Sequence, residues 1–264
     1  MGKIARYFEI GRNVAIVALV VSAVLGWWYN VTPKEPRVTL EYSVKVETVI
    51  LDASASPKAK QPSSKQQSPP ADPPKTEPKK SGGSFGSGTL IGYIHYHFDG
   101  NDGVFQTAIL TNEHVIKGAS KVYVHWKGKK IEGRVIAVDS ELDLALVQVP
   151  VRLPTVELLA GPIWDGENTW VVGYPFGLSA SITHGFISPK APKEELRQES
   201  ASIWFGNSGG GVFVLRDGRY VLAGVTDAIF VKPVMGGILF ANTVGFFVPI
   251  ESVKIFLAKN HVTN

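Results

Sequence analysis

From Phe85 onward, the sequence is a series of short runs of β-branched and aromatic residues, separated by glycine, aspartate and proline. Such runs are typical of β-strands, and the segments DGNDG, KGKK and RDGR between them are typical of turns. The last run, IESVKIFLAKN, has helical spacing instead. The pattern predicts an all-β fold with two small antiparallel barrels side by side and a short C-terminal helix.

The N-terminal part has a different composition. Residues 1–13 form a basic flank, and residues 14–29 form an uncharged apolar run that ends in Trp27, Trp28 and Tyr29. Basic residues before an apolar run and aromatic residues at its end are typical of a membrane segment with a cytoplasmic N-terminus. We expect an uncleaved transmembrane signal anchor, with a cleaved signal peptide as the alternative.

Two further segments separate this run from the predicted barrels. Residues 30–51 form a juxtamembrane segment, in which Arg37 to Leu51 alternates enough to be a short strand or an assembly segment. Residues 52–83 are rich in proline, lysine, serine and glutamine, so they are expected to form a disordered linker. The folded domain is then predicted at 84–264.

Charge and cysteine content exclude several classes of protein. The formal net charge is +4, but the segment from Ser84 onward has 15 basic and 16 acidic residues, so nucleic-acid binding is not expected. The chain has no cysteine, which excludes disulfides and thiolate metal sites.

Ser208 lies in the segment WFGNSGGGVFV, among glycines that allow close approach of a substrate backbone. The segment suits a nucleophile, with an oxyanion hole formed by Gly206, Asn207 and Ser208, chiefly by the Gly206 and Ser208 amides. It also satisfies the GxSxG motif of α/β hydrolases, but those enzymes have their catalytic histidine after the serine. Only His261 follows Ser208, in the last few residues of the chain.

The opposite order is present, with His114 in LTNEHVI and Asp143 in ELDLALVQV, both before Ser208. With these motifs in this order, the chain resembles the trypsin-like serine proteases, and their HtrA/Deg branch most closely. The resemblance extends from about Ser84 to Leu257, through segments such as GSGTLIG, VVGYPFGL and VLAGVTDAIF. It implies two six-stranded barrels, at about 84–150 and 155–258. We expect no PDZ domain of the kind common in that family, since the sequence ends at Asn264.

The resemblance also implies the roles of the residues. Ser208 would attack the peptide carbonyl, His114 would take and return the proton, and Asp143 would orient the imidazole. No cofactor or metal would be needed. A specificity pocket is expected from two segments; its residues are Ser202, Ile203, Trp204, Phe205, Thr226, Asp227 and Ala228. Asp227 would favour a basic substrate side chain if it faced inward, but we expect an apolar preference.

Two other sets of residues could bind metal ions. His95 and His97 would lie on one face of a strand, but no third zinc ligand is apparent. Asp99 to Gly103 lacks the length and terminal glutamate of a calcium loop, so a hairpin turn is expected there.

These observations predict a serine endopeptidase that is anchored in a membrane and acts on protein or peptide substrates outside the cytoplasm, in the periplasm or extracellular space. A homo-oligomer is compatible with the sequence. The alternative is a silent or latent domain of the same fold, which serves as a membrane-tethered binding or scaffold protein.

Overall fold

A computed structural model of the chain describes residues 40–51, 80–94, 106–189 and 195–264. The predicted membrane segment at 14–29, most of the predicted linker, and the residues of the two metal-site candidates at 95–103 lie outside the described residues. In the part of the chain that is described, no helix is long and apolar enough to cross a membrane.

The first barrel is built from antiparallel strands whose order in the sheet is β2-β1-β3-β4-β7-β6-β5. The strands are β1 (Ser43–Leu51), β2 (Lys80–Gly82), β3 (Phe85–Ile94), β4 (Gln106–Thr111), β5 (Lys121–Trp126), β6 (Lys129–Asp139) and β7 (Leu144–Val149). Strand β1 pairs with β3 on one side and with β5 on the other, which closes the sheet into a cylinder. Strand β2 has three residues and pairs with β1. The cylinder itself therefore has six strands.

The second barrel has the strand order β10-β13-β12-β11-β8-β9. Its strands are β8 (Asn168–Gly173), β9 (Ser181–Phe186), β10 (Arg197–Glu199), β11 (Gly211–Arg216), β12 (Arg219–Val234) and β13 (Gly237–Pro249). A single bridge between Ile187 and Glu199 joins the end of β9 to β10. Two backbone hydrogen bonds support this closure, from Ser188 N to the Gln198 carbonyl and from Ser200 N to the Phe186 carbonyl.

Two α-helices, and two 3-10 helices at Leu40–Tyr42 and Pro175–Gly177, complete the described part of the domain. Helix α1 (Glu113–Ile116) follows β4, and helix α2 (Ile250–Lys259) follows β13. One buried apolar cluster lies within the first barrel. A second and larger cluster joins the strands of the second barrel and helix α2 to inward residues of the first barrel, such as Leu110 and Leu146. The predicted all-β double barrel with a C-terminal helix is confirmed.

Strand β1 confirms the expectation of a short strand within Arg37 to Leu51, but its place in the fold differs from the prediction. Its residues belong to the predicted juxtamembrane segment, yet Val44 and Val46 are fully buried in the core of the first barrel. Lys80–Gly82, which the composition places in the linker, forms β2. The first barrel thus begins at Ser43 and not near residue 84, because its closing strand comes from before the polar segment.

Candidate active site

His114 is placed at the edge of the first barrel by helix α1. The next two residues of the helix, Val115 and Ile116, are buried in the barrel core and fix its position. The His114 side chain remains 48% exposed. The imidazole is therefore held by its backbone while one edge faces solvent.

Asp143 is fixed by four hydrogen bonds in the turn before β7. Its backbone has a φ of 50°, a left-handed conformation that aspartate tolerates better than most residues. Its carbonyl accepts from Asn112 Nδ2 at 2.9 Å and from the Glu113 amide at 3.2 Å. Its carboxylate accepts from the His114 amide at 2.9 Å through Oδ1, and from His114 Nδ1 through Oδ2.

These contacts set the charge of the pair. The hydrogen bond to Asp143 raises the pKa of His114 above its usual value, against an opposing effect of burial. Burial alone would raise the pKa of Asp143, but hydrogen bonds from His114 outweigh it and lower that pKa. With Nδ1–H donated to a carboxylate, the other ring nitrogen of neutral His114 is available as a base.

Ser208 lies in the loop between β10 and β11, and glycines determine the shape of this loop. Gly206 has a φ of 97° and Gly209 a φ of 84°, in the region that side chains disfavour. A Cβ at Gly206 would lie 2.6 Å from the Tyr174 carbonyl oxygen, and one at Gly209 would lie 2.2 Å from that of Ser87. Glycine is thus required at Gly206 and Gly209 for two reasons: neighbouring backbone leaves no room for a Cβ, and side chains disfavour these φ values.

The loop presents two unused backbone donors. The Asn207 amide donates to the Trp204 carbonyl at 3.0 Å, and the Gly209 amide donates to the Thr226 carbonyl at 2.9 Å. Among the described residues, the Gly206 and Ser208 amides have no acceptor. Of the three residues predicted for the oxyanion hole, two thus have a free N–H, while the N–H of Asn207 is engaged in the turn.

The Ser208 hydroxyl donates to the backbone carbonyl of Asp227 at 3.2 Å. Within the described residues it makes no hydrogen bond to His114. The structure therefore brings His114 and Asp143 into direct contact, and places Ser208 in the same cleft with its hydroxyl turned to β12.

Ser87, in β3 of the first barrel, fastens the Ser208 loop and was not identified from the sequence. Its amide donates to the Ser208 carbonyl at 2.8 Å, and its hydroxyl donates to the Gly206 carbonyl at 2.6 Å. The same hydroxyl accepts from the Tyr174 amide at 2.8 Å, and the Ser87 carbonyl accepts from Thr111 Oγ1 at 2.7 Å. The one signal that the sequence offered was a serine between two glycines in GSGTLIG; the structure shows that this serine is fully buried.

A cavity of about 380 Å³ opens beside Ser208. Five of the seven predicted pocket residues line it: Ile203, Trp204, Phe205, Asp227 and Ala228. Ser202 does not line it, and Thr226 is fully buried behind the loop. The sequence analysis missed two further apolar wall residues, Ile229 and Val231.

Asp227 is the one acidic residue of this cavity wall, and it lies against the His114–Asp143 pair. One potential ligand atom from each of the three residues lies within 4.8 Å of the others. Among the described residues they are the one group of this kind that could hold a metal ion. A cation there would take the imidazole lone pair that a base needs. Burial, and then the neighbouring Asp143, raise the pKa of Asp227 to about 7.

Comparison with known proteins identifies relatives of this chain. The family described as "Trypsin-like peptidase domain" matches residues 86–223. The magnetosome formation protease MamE of Magnetospirillum gryphiswaldense is 34% identical over 174 residues, which cover 59% of this chain and 21% of MamE. The periplasmic serine endoprotease DegP of Salmonella typhimurium is 32% identical over 157 residues, which cover 55% of this chain and 31% of DegP.

Solved structures share the fold. The HtrA-type protease AlgW with a decapeptide superposes with a TM-score of 0.60 at 24% identity, over 84% of this chain and 65% of that one. The Rv3671c protease of M. tuberculosis gives a TM-score of 0.58 at 20% identity, over 86% and 83% of the two chains. The chain spans about a fifth to a third of the length of the first curated relatives it matches.

Proposed function

Since this chain belongs to the trypsin-like peptidase domain family, we propose that it is a serine endopeptidase of the HtrA/Deg type in which Ser208, His114 and Asp143 form the catalytic triad. The observation that carries the proposal is the contact of Asp143 with both the backbone and the ring of His114. This contact supports the ring orientation and tautomer that a general base requires.

The reaction then follows from the positions of these groups. The Ser208 hydroxyl leaves the Asp227 carbonyl, gives its proton to His114 and attacks the peptide carbonyl. The negative charge that develops on the substrate oxygen is met by the free amides of Gly206 and Ser208. His114 returns the proton to the leaving amine, and a water molecule that His114 deprotonates hydrolyses the acyl-enzyme.

The substrate preference follows from the cavity. Its wall is made mainly of Ile203, Phe205, Ala228, Ile229 and Val231, all apolar. The Asp227 carboxyl lies close to His114 and Asp143, which argues against its use as an anchor for a basic side chain. We therefore propose cleavage after apolar side chains of small or medium size.

Turnover of a fluorescently labelled, unfolded protein such as casein tests the activity. With the full chain in detergent, Ser208→Ala should lower the rate about 10⁶-fold. Ser179→Ala, at an exposed serine outside the cavity wall, is the matched control and should leave the rate unchanged. Equal turnover by wild type and Ser208→Ala would refute the proposal. A folded wild type without turnover would favour the latent alternative, for which the Ser208–Asp227 hydrogen bond is the supporting observation.

We also propose that the chain is anchored by residues 14–29, with the barrels on the extracytoplasmic side. The support is the uncharged run itself and the basic flank before it. Fractionation of cells and protease accessibility of a C-terminal tag test this arrangement. Recovery of the intact chain in the cytosolic fraction would contradict it.

A further inference from the structure

A second carboxyl group lies next to the pair that the proposed mechanism uses. Asp227 on β12 lies close to His114 of α1 and to Asp143 of the turn before β7. One ring nitrogen of His114 and one carboxylate oxygen of each aspartate lie within 4.8 Å of one another. The side chains of His114 and Asp143 are 48% and 25% exposed, so solvent reaches the cluster from one side. Three titratable groups at this distance cannot change protonation independently.

We propose that Asp227 is a positioning residue that shares one proton with the His114–Asp143 pair, so that the position of this proton decides whether Ser208 can be activated. The proposal deepens the function argued above and rests on it. Asp227 does not touch the substrate carbonyl in this account, and it acts through Asp143 and His114.

Two arrangements of the cluster carry the same net charge. In the first, Asp227 holds the proton and donates it in a hydrogen bond to the Asp143 carboxylate, while His114 is neutral and can accept the Ser208 proton. In the second, the proton has moved from Asp227 to His114. The imidazolium then faces two carboxylates and cannot act as a base.

The charged groups around the cluster allow Asp227 and His114 to compete for this proton. Helix α1 contributes Glu113 besides His114, but Glu113 is paired with Lys117 at 3.3 Å. On the strand of Asp227 the next charged residue is Lys232, and the paired strand β13 has no charged residue. Within the described residues, no lysine or arginine forms an ion pair with Asp227 or Asp143. His114 is therefore the basic side chain that lies beside these two carboxyl groups.

Electrostatics of the separate groups agree with this arrangement. Burial and the adjacent Asp143 raise the pKa of Asp227 to about 7, and the hydrogen bond to Asp143 raises the pKa of His114 above its usual value. A carboxyl that keeps its proton near neutral pH can serve as a hydrogen-bond donor.

The backbone of Asp227 provides an independent contact with the nucleophile. Its carbonyl accepts the Ser208 hydroxyl at 3.2 Å. One residue of β12 thus touches the serine through its main chain and lies beside the base through its side chain. A change in the position of Asp227 would therefore alter the contacts of both the Ser208 hydroxyl and the His114 ring.

The test is the pH dependence of the rate at which a fluorophosphonate labels Ser208 in the full chain. Asp227→Asn keeps a hydrogen-bond donor to Asp143 but removes the second negative charge. As the pH is lowered, the labelling rate falls to half its maximum at a midpoint that reports protonation of His114. Loss of a charge at this distance should move this midpoint down by about one pH unit in Asp227→Asn. At a pH one unit below the wild-type midpoint, the variant should therefore be labelled roughly five-fold faster than the wild type.

Two comparisons distinguish this role from a structural one. Asp227→Ala also removes the donor, so it should label about 10- to 100-fold more slowly at every pH. Asp217→Asn makes the same chemical change in the exposed turn between β11 and β12 and should leave the midpoint unchanged. An Asp227→Asn midpoint equal to that of the wild type would overturn the proposal.

A second measurement does not depend on labelling. NMR titration of the His114 ring in full-length Ser208→Ala protein should give a lower pKa when Asp227 is also replaced by asparagine. An unchanged His114 titration would overturn the proposal. Absence of labelling in the wild type would instead count against the proposed function, so the two failures can be told apart.

Discussion

The two barrels are closed in different ways. Strand β1 closes the first barrel with five paired residues on each side, and its inward valines are fully buried. The second barrel is closed by the three-residue strand β10 and one bridge, at which the buried carboxyl of Glu199 lies. The barrel with the long closure carries His114 and Asp143, whereas the chain runs from the short closure at Glu199 to Ile203, which lines the cavity, and on to the Ser208 loop. The candidate base and its carboxylate partner therefore lie in the barrel with the longer closure, and the Ser208 loop depends more on hydrogen bonds from that neighbouring barrel.

The largest expected effect comes from removing the first closure. A chain of residues 84–264 lacks β1, leaves the edges of β3 and β5 unpaired, and loses the burial of Val44 and Val46. Each such side chain contributes about 1.5–3 kcal/mol, and the lost strand pairing adds to this, against a total stability of about 5–15 kcal/mol. We expect this chain to lack a cooperative thermal transition.

The matched control is a chain of residues 38–264, which retains β1 and spans the compact unit of the structure. It should unfold cooperatively by circular dichroism. Equal melting temperatures for the two chains would show that β1 is dispensable.

The next effect comes from the contact between the barrels. Ser87→Ala removes the hydroxyl that bonds the Gly206 carbonyl and the Tyr174 amide. The Ser208 loop then keeps the backbone bond from the Ser87 amide to the Ser208 carbonyl but loses the side-chain bond that holds Gly206. We expect kcat to fall about 10²-fold, comparable to loss of one oxyanion donor, with little change in KM.

Ser84→Ala is the control for this substitution, because the Ser84 hydroxyl bonds Thr48 and the Val115 carbonyl, both in the first barrel. Its kcat should stay close to that of the wild type. If both variants lost activity equally, the loss would reflect damage to the first barrel and not to the contact between the barrels.

The smallest expected effect concerns the second closure. Burial raises the pKa of Glu199 to about 7 from the ordinary 4.5. As pH rises from 4.5 the unfolded chain loses this proton first, so stability falls between pH 4.5 and 7 and stays lower above that range. Glu199→Gln removes the effect and should stabilise the protein by about 1–2 kcal/mol at pH 8, within the roughly 3 kcal/mol that the shift allows.

Denaturant titrations at pH 8 and pH 4.5 test this expectation, since at pH 4.5 the variant should gain little. A gain of the same size at both pH values would mean that the buried charge is not its source.

The sequence predicted those parts of the candidate site that each lie within one short continuous motif. The order of His114, Asp143 and Ser208 and the glycines around Ser208 can be read directly, because each motif fixes its own turn or helix. The pairing of β1 with β3 and β5 could not be read, because a polar segment separates these strands and either partner edge was possible. The link from Ser87 to Gly206 joins residues 119 positions apart, and no local pattern encodes such a contact.

Asp227 illustrates the same limit within one strand. The resemblance to the trypsin-like proteases predicted Asp227 beside the cavity, but whether its carboxyl faces the substrate or His114 depends on how the two barrels pack together. The apolar character of the cavity followed from its residue types, while Ile229 and Val231 required the actual course of β12.

The most direct test of the central claim is to react the full-length protein with a fluorophosphonate and locate the modified residue by mass spectrometry, with His114→Ala treated in parallel. We expect modification at Ser208, at a rate that falls by several orders of magnitude when His114 is replaced. A folded protein that remains unmodified, or modification of Ser208 at an equal rate in both proteins, would contradict this claim.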